Sequence, residues 1–137
     1  MTTAIEYTDD PTGITPDRLA GFFVGWPTSP SPETHLRILH RSHRVWLALD
    51  GDRVVGFITA ISDGVLSAYL PLLEVLPSHQ GRGIGTELTR RMLETLHHLY
   101  MIDLTCDPDV QEFYGRLGMS RGSAMLIRNY DRQSGAD

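Results

Sequence analysis

The chain has 137 residues, a formal net charge of −5, and 41% hydrophobic and 21% charged residues, which describes one globular domain able to bury a core. The acidic balance argues against nucleic acid as a partner, and no apolar run approaches membrane-spanning length. The single cysteine, Cys106, cannot close an internal disulfide, so a reducing, cytoplasmic setting is expected.

Met1 to Asp10 carries neither the basic region nor the apolar run of a signal peptide. Thr15-Pro16-Asp17 reads as a helix start, with a capping hydroxyl, proline in the first turn and then an acid. Leu19, Phe22 and Phe23 fall on one face of that helix, and Gly25-Trp26-Pro27 ends it. Ser31-Pro32-Glu33 repeats the start signal. The second helix turns Leu36 and Leu39 inward and stops near Ser42. His40 and His43 can share a helix face, but zinc-ligand spacing is absent. Solvated or capping roles are expected there, with no metal.

Val45 to Leu49 predicts a strand, Asp50-Gly51-Asp52-Arg53 a turn, and Val54 to Ser62 a second strand closed by a tight turn at Asp63-Gly64. Val65 to Leu76 predicts a longer third strand interrupted at Pro71, which cannot donate to a ladder. A helix follows with Ile84, Leu88, Met92, Leu96 and Leu99 on one stripe. Glu87 with Arg91 and Arg90 with Glu94 are its solvent-side pairs. Met101 to Cys106 predicts a strand, Asp107-Pro108-Asp109 a helix start, Gly118 its stop, Ala124 to Arg128 a last strand, and Tyr130 to Asp137 a frayed tail. Phe113 and Leu117 read as core residues of that last helix. This order indicates an α/β sandwich around one mixed sheet, without repeats or a second domain.

Gln80-Gly81-Arg82-Gly83-Ile84-Gly85-Thr86 stands between a strand and a helix. Three glycines leave backbone N–H groups uncovered, and the helix adds its unpaired N-terminal N–H groups and the positive end of its dipole. The result suits a phosphate or pyrophosphate. A Walker loop would need a Gly-Lys-Ser/Thr ending, which is absent. A dinucleotide fingerprint would need glycine where Thr86 stands, and an antiparallel hairpin precedes the turn. Binding of NAD is therefore the weakest alternative.

The stretch Gln80 to Gly85 resembles the Gln/Arg-x-x-Gly-x-Gly/Ala signature of the GNAT superfamily of acyl-CoA N-acyltransferases. Phe113-Tyr114-Gly115-Arg116-Leu117-Gly118-Met119 is similar to a second element of that family, with Met119 in place of the usual Phe. The resemblance covers about residues 43–129. It implies an α/β fold with a mixed, mostly antiparallel sheet, splayed at the cofactor site and flanked by about four helices. Within one domain over 1–137, residues 14–42 would supply two helices shaping the acceptor site. Residues 43–129 would form the sheet and the CoA-binding core, and 130–137 a tail.

The resemblance further implies acetyl-CoA as co-substrate and direct transfer of its acyl group to an amine. It places pyrophosphate contacts at Gln80, Gly81, Arg82, Gly83, Ile84, Gly85 and Thr86, and pantetheine pairing at Leu73 and Val75, with a backbone N–H near Val75 stabilising the oxyanion. Tyr114 matches the family's general acid, although a core tyrosine with a capped hydroxyl is the alternative. Glu74 is the candidate base, directly or through water, or a residue that orients the acceptor. Asp107 stands where the family often has Asn in contact with pantetheine, and a carboxylate cannot donate that bond. Cys106 is read as structural or as lining the CoA tunnel. Trp26 and Tyr69 are candidates for the acceptor side. No metal, membrane or nucleic acid is implied, and a homodimer is compatible with the family. A non-catalytic acyl-CoA-binding module of the same fold is the second hypothesis.

Overall fold

The computed structural model describes residues 4–136; the expectations for the extreme termini that fall on Met1–Thr3 and Asp137 lie outside the described residues. Among these, six strands form one sheet: β1 (Glu6–Thr8), β2 (Arg44–Asp50), β3 (Arg53–Ser62), β4 (Ser67–Tyr69), β5 (Leu73–Val75) and β6 (Met101–Asp103). Among the described residues three helices accompany it: α1 (Pro32–Arg41), α2 (Ile84–Thr95) and the short α3 (Gln111–Gly115). The pairings are antiparallel except that of β4 with β6. The mostly antiparallel α/β sheet expected from the sequence is therefore present.

β3 is the axis of the molecule. Val54 to Ala60 is a run of seven residues buried on both faces, which reads as apolar rather than alternating for that reason. On one face Gly56 lets α2 approach closely. A Cβ there would lie 3.1 Å from Leu88 Cδ1 and 3.2 Å from Ile84 Cγ2. Ile84, Leu88 and Met92 of the predicted stripe are buried against this face, and Leu96 and Leu99, expected on the same helix, are buried just beyond its end at Thr95. Each such side chain contributes on the order of 1.5–3 kcal/mol by burial. On the other face Phe57 meets Phe22 edge-on, with ring centroids 5.1 Å apart, and α1 closes over it through His35 and Leu39. Ser31 caps α1 by accepting from Thr34 N at 3.1 Å, and the helix ends at Ser42, as its flanking residues predict.

The long third strand is two short ones laid end to end along β3. β4 pairs Ile61 with Tyr69 and Ser62 with Ala68. β5 pairs Gly56 with Val75, Phe57 with Glu74 and Ile58 with Leu73. The break falls at Leu70-Pro71-Leu72, where proline lacks the N–H that a continuous ladder needs. β6 continues the sheet only beside β4. The outer edge of β5 is left open, and this is the splay in the sheet.

Four local expectations are corrected. The first predicted helix is a single 3-10 turn, Pro16–Leu19, whose Thr15 makes no side-chain cap. Gly21, Phe23 and Gly25 all have φ near +60 to +95°, in the left-handed region, and no α-helix passes through them. The segment 14–42 thus holds one helix, not two. The strand expected to end at Cys106 stops at Asp103. The helix after Asp107 is a 3-10 turn followed by five α-helical residues, ending before Gly118 (φ 98°). The strand expected over Ala124 to Arg128 is not formed, and residues 121–130 are exposed throughout. The short β1, missed in the sequence, pairs Tyr7 with Ala48, and its ring is capped by the Arg91 guanidinium at 4.7 Å.

Candidate active site

The glycine turn enters α2 through Gly81 (φ 75°) and Gly83 (φ 80°). These two left-handed positions aim the backbone so that Gly83 becomes the N-cap without any side chain capping the helix. The first helical bond runs from Glu87 N to Gly83 O at 3.1 Å. The N–H groups of Ile84, Gly85 and Thr86 lie ahead of it and face outward at the positive end of α2. A Cβ on Gly81 or Gly83 would meet nothing within 4 Å, so the space above these amides is open. Arg82 is exposed beside it. A groove of about 290 Å³ begins here, lined by Val75, His79, Gln80, Ile84, Thr86 and Phe113 among others.

Two interactions that hold the turn escape the sequence reading. His79 Nε2 lies 2.8 Å from Asp50 Oδ2, at the turn between β2 and β3, while its Nδ1 lies 2.7 Å from Ser78 Oγ. Gln80 Nε2 donates to Val75 O at 3.1 Å. The first joins residues 29 apart in the chain, so no local pattern announces it.

β5 presents its backbone to the groove. Leu76 N donates to Val55 O at 2.8 Å and Thr59 N to Leu72 O at 3.1 Å. Alternation along an antiparallel ladder then turns the N–H and C=O groups of Leu73 and Val75 to the open edge. Of these, Val75 O is occupied by Gln80, and the rest are open to an added strand-like ligand.

Glu74 points to the opposite face. Its Oε1 accepts from Phe23 N at 2.8 Å and its Oε2 from Val24 N at 3.2 Å. The carboxylate thereby holds the left-handed turn at Phe23 (φ 63°), a strained conformation for a non-glycine residue. Behind this turn is an aromatic cluster. His35 is 1% exposed and lies 4.3 Å from the Phe57 ring, 5.0 Å from Phe23 and 5.3 Å from Phe22. Neither His35 nitrogen has a hydrogen-bond partner among the described residues. Burial pushes its pKa down from 6.5 to about 4, so the ring is neutral. His35 carries no functional signal in the sequence analysis above. Its i, i+4 spacing to Leu39 was the available signal. Trp26 lies 4.9 Å from Phe23 and covers the cluster, 38% exposed. A smaller cavity of about 180 Å³ lies between this turn and the start of α1, lined by Leu19, Gly21, Phe22, Phe23, Pro30 and His35 among others.

The downstream residues separate. Phe113, expected in the core, is half-buried and lines the groove, 3.8 Å from where a Gly85 Cβ would sit. Tyr114 is half-buried beside it, with ring centroids 5.0 Å apart. Its hydroxyl has no hydrogen-bond partner among the described residues. Burial, and then the neighbouring Cys106 sulfur, push its pKa up from 10. Tyr69 donates to or accepts from Thr105 Oγ1 at 2.7 Å. Asp107 is exposed and accepts from Val110 N only through its backbone oxygen, with no side-chain cap. No cluster of His, Cys, Asp or Glu able to hold a metal ion occurs among the described residues.

A splayed mixed sheet with an uncapped, glycine-entered helix at the splay defines the class of acyl-CoA acyltransferase folds. Comparison places this chain within it: residues 12–119 match the acetyltransferase (GNAT) family, and the protein belongs to that family. The chain is 31% identical to the uncharacterized N-acetyltransferase ycf52 of Porphyra purpurea over 69% of its length and 58% of the relative's. It is 31% identical to the chloroplastic GCN5-related N-acetyltransferase 1 of Arabidopsis thaliana, over 77% of this chain and 56% of that one. It therefore spans little more than half of these curated relatives. A crystal structure from Deinococcus radiodurans R1, described as a candidate acetyltransferase, is 48% identical, with a TM-score of 0.94 over 100% of this chain and 99% of that one.

Proposed function

We propose that this chain transfers an acetyl group from acetyl-CoA directly to an amine held in the same complex. The observation that carries the reading is the uncapped start of α2. Three outward N–H groups and two left-handed glycines stand at the mouth of a groove whose wall is the open backbone edge of β5. A side chain at Gly81 or Gly83 would fill that space. Gly81, Gly83, Ile84, Gly85 and Thr86 hold the pyrophosphate through backbone amides, and Arg82 adds charge. Gln80 braces the loop. Leu73 and Val75 pair with the pantetheine arm, and the Val75 N–H polarises the acyl carbonyl.

Acetyl-CoA supplies the activated thioester. Tyr114, neutral because burial raises its pKa, gives its proton to the departing sulfur. The amine nitrogen forms the new bond to the carbonyl carbon as the carbon–sulfur bond breaks, and its surplus proton leaves through water. Glu74 serves the acceptor side as a positioning residue, because both of its oxygens already hold the Phe23–Val24 turn. Trp26 and Tyr69 border that side. The exposed Asp107 makes no capping bond, and it accepts from pantetheine rather than donating. Cys106 is a half-buried free thiol, which keeps a reducing compartment as the proposed setting. None of the helices is long and apolar enough to cross a membrane, among the described residues.

The engaged Glu74 favours one second reading, a non-catalytic module that binds acyl-CoA. Thermal melting with acetyl-CoA, CoA or NAD, followed by CoA release across an amine panel, separates the cases. Stabilisation by both CoA species with turnover supports the transferase. Stabilisation without turnover supports the module, and no CoA response refutes both.

A further inference from the structure

The glycine turn has no backbone ladder of its own. From Gln80 to Gly83 no backbone N–H finds a backbone acceptor among the described residues. Bare amides suit an anion, but they leave a loop free to take other shapes. Gly81 and Gly83 widen that freedom, because a residue without a Cβ populates both signs of φ. An ordered cradle therefore needs support from outside its own backbone.

The residues that lead into the turn are well anchored. Leu76 N donates to Val55 O at 2.8 Å, and His79 N closes the 3-10 turn Pro77–His79 by donating to Leu76 O at 2.9 Å. The ring of His79, two residues before Gly81, then meets Asp50 at the tip of the β2–β3 hairpin, with Nε2 2.8 Å from Oδ2. The two side chains are 13% and 32% exposed, so water competes little for the imidazole. A carboxylate only accepts, which puts the ring proton on Nε2. In the neutral ring Nδ1 is left to accept from Ser78 Oγ at 2.7 Å. Asp50 thus selects one tautomer and one orientation of the ring.

The hairpin tip is itself fixed. A register shift between Ala48 and Leu49 comes just before Asp50, and irregularities of this kind re-aim a side chain. Behind the tip, Arg18 donates through Nε to Asp52 O and through Nη1 to Gly13 O at 3.3 Å. The post that His79 leans on is therefore tied to the segment before Leu19 as well as to the sheet.

We propose that Asp50 and His79 are positioning residues for the cofactor. Asp50 does not line the groove and acts only through His79, whose fixed ring sets the point from which Gln80 to Gly83 departs and so aims the open amides at the pyrophosphate. A cradle ordered in advance loses less freedom when its ligand arrives, and that saving appears as affinity. This role rests on the turn being the acetyl-CoA cradle proposed above.

The test titrates acetyl-CoA by calorimetry into the wild type, Asp50→Ala and Asp50→Asn. The His79 tautomer is read in the ligand-free proteins at alkaline pH from proton–nitrogen correlations of the ring. The wild type should show the Nε2–H form alone. Asp50→Ala frees the ring to exchange tautomers and should raise the Kd for acetyl-CoA roughly tenfold to a hundredfold. Asp50→Asn keeps an oxygen acceptor in the same place, so it should keep the tautomer and bind within about threefold of the wild type. His79→Phe keeps a ring against the groove without its nitrogens. It should match Asp50→Ala, and it takes that variant's place if circular dichroism shows Asp50→Ala unfolded. Wild-type affinity in Asp50→Ala overturns the role. So does a loss in Asp50→Ala with the Nε2–H form retained, or an equal loss in Asp50→Asn. In each of those cases a wild type that binds acetyl-CoA leaves the cradle standing without its brace. A wild type that does not bind acetyl-CoA removes the cradle, and this role with it.

Discussion

His35 makes the folded state sensitive to acid. Its imidazole is neutral and enclosed by Phe22, Phe23 and Phe57, with its pKa lowered from 6.5 to about 4 by burial. In the unfolded chain the ring protonates near its ordinary value. Between about pH 4 and 6.5 the unfolded state therefore binds more protons, and stability falls as pH falls through that window. At 1.36 kcal/mol per pKa unit the full loss is about 3 kcal/mol, and about 2 kcal/mol is already gone at pH 5. For a domain of this size that corresponds to roughly 6–8 °C in melting temperature. Carboxylates also titrate there, so the measurement is a comparison. Urea unfolding of the wild type and His35→Leu is followed at pH 7.5, 6, 5 and 4.5. The wild type should lose about 2 kcal/mol more than the variant between pH 7.5 and 5. The comparison of slopes does not depend on which protein is more stable at pH 7.5. Parallel slopes would show that the ring titrates normally in the fold, and the enclosed, unpartnered histidine would then be the wrong description.

Gly83→Val should weaken acetyl-CoA binding in a calorimetric titration by roughly tenfold to a hundredfold, through lost amide contacts. The left-handed φ of 80° adds about 1–3 kcal/mol of destabilisation, which a melting curve detects separately. Unchanged affinity would remove the cradle. Tyr114→Phe should lower turnover by about a hundredfold or more while CoA affinity holds. Wild-type turnover would take the acid role away from Tyr114. Glu74→Gln leaves one of the Phe23 and Val24 N–H groups without a good acceptor, and should cost about 1–3 kcal/mol of stability and raise the KM for the amine. A variant melting like the wild type would show that the carboxylate does not hold the turn.

What was legible in the sequence was local. Ser31-Pro32-Glu33 places α1 because a cap, its proline and its acid act within one turn. The stripe from Ile84 to Met92 sets the buried face of α2 because helical period alone decides it. The glycine turn declares its purpose because φ > 0 and bare amides are properties of those few residues. Pro71 divides the third strand for the same reason. The first predicted helix shows where local signals fail. Thr15-Pro16-Asp17 opens a turn correctly, but Phe23 is drawn into a left-handed conformation by the Glu74 carboxylate, 51 residues away.

Tertiary structure alone decided the rest. The burial of His35 depends on α1, the Phe22–Phe23 turn and β3 meeting at one place. The brace from Asp50 to His79 depends on the β2–β3 turn folding against the glycine loop. Tyr114 takes its environment from how much of α3 is covered. The apolar pattern of Ala124 to Arg128 announces a strand that is not formed, because a strand exists only where an edge receives it. Sequence determines which segments seek partners, because propensity and periodicity act over a few residues. Which partner each segment finds is set by chain closure over tens of residues and by the edges left open when the sheet is complete.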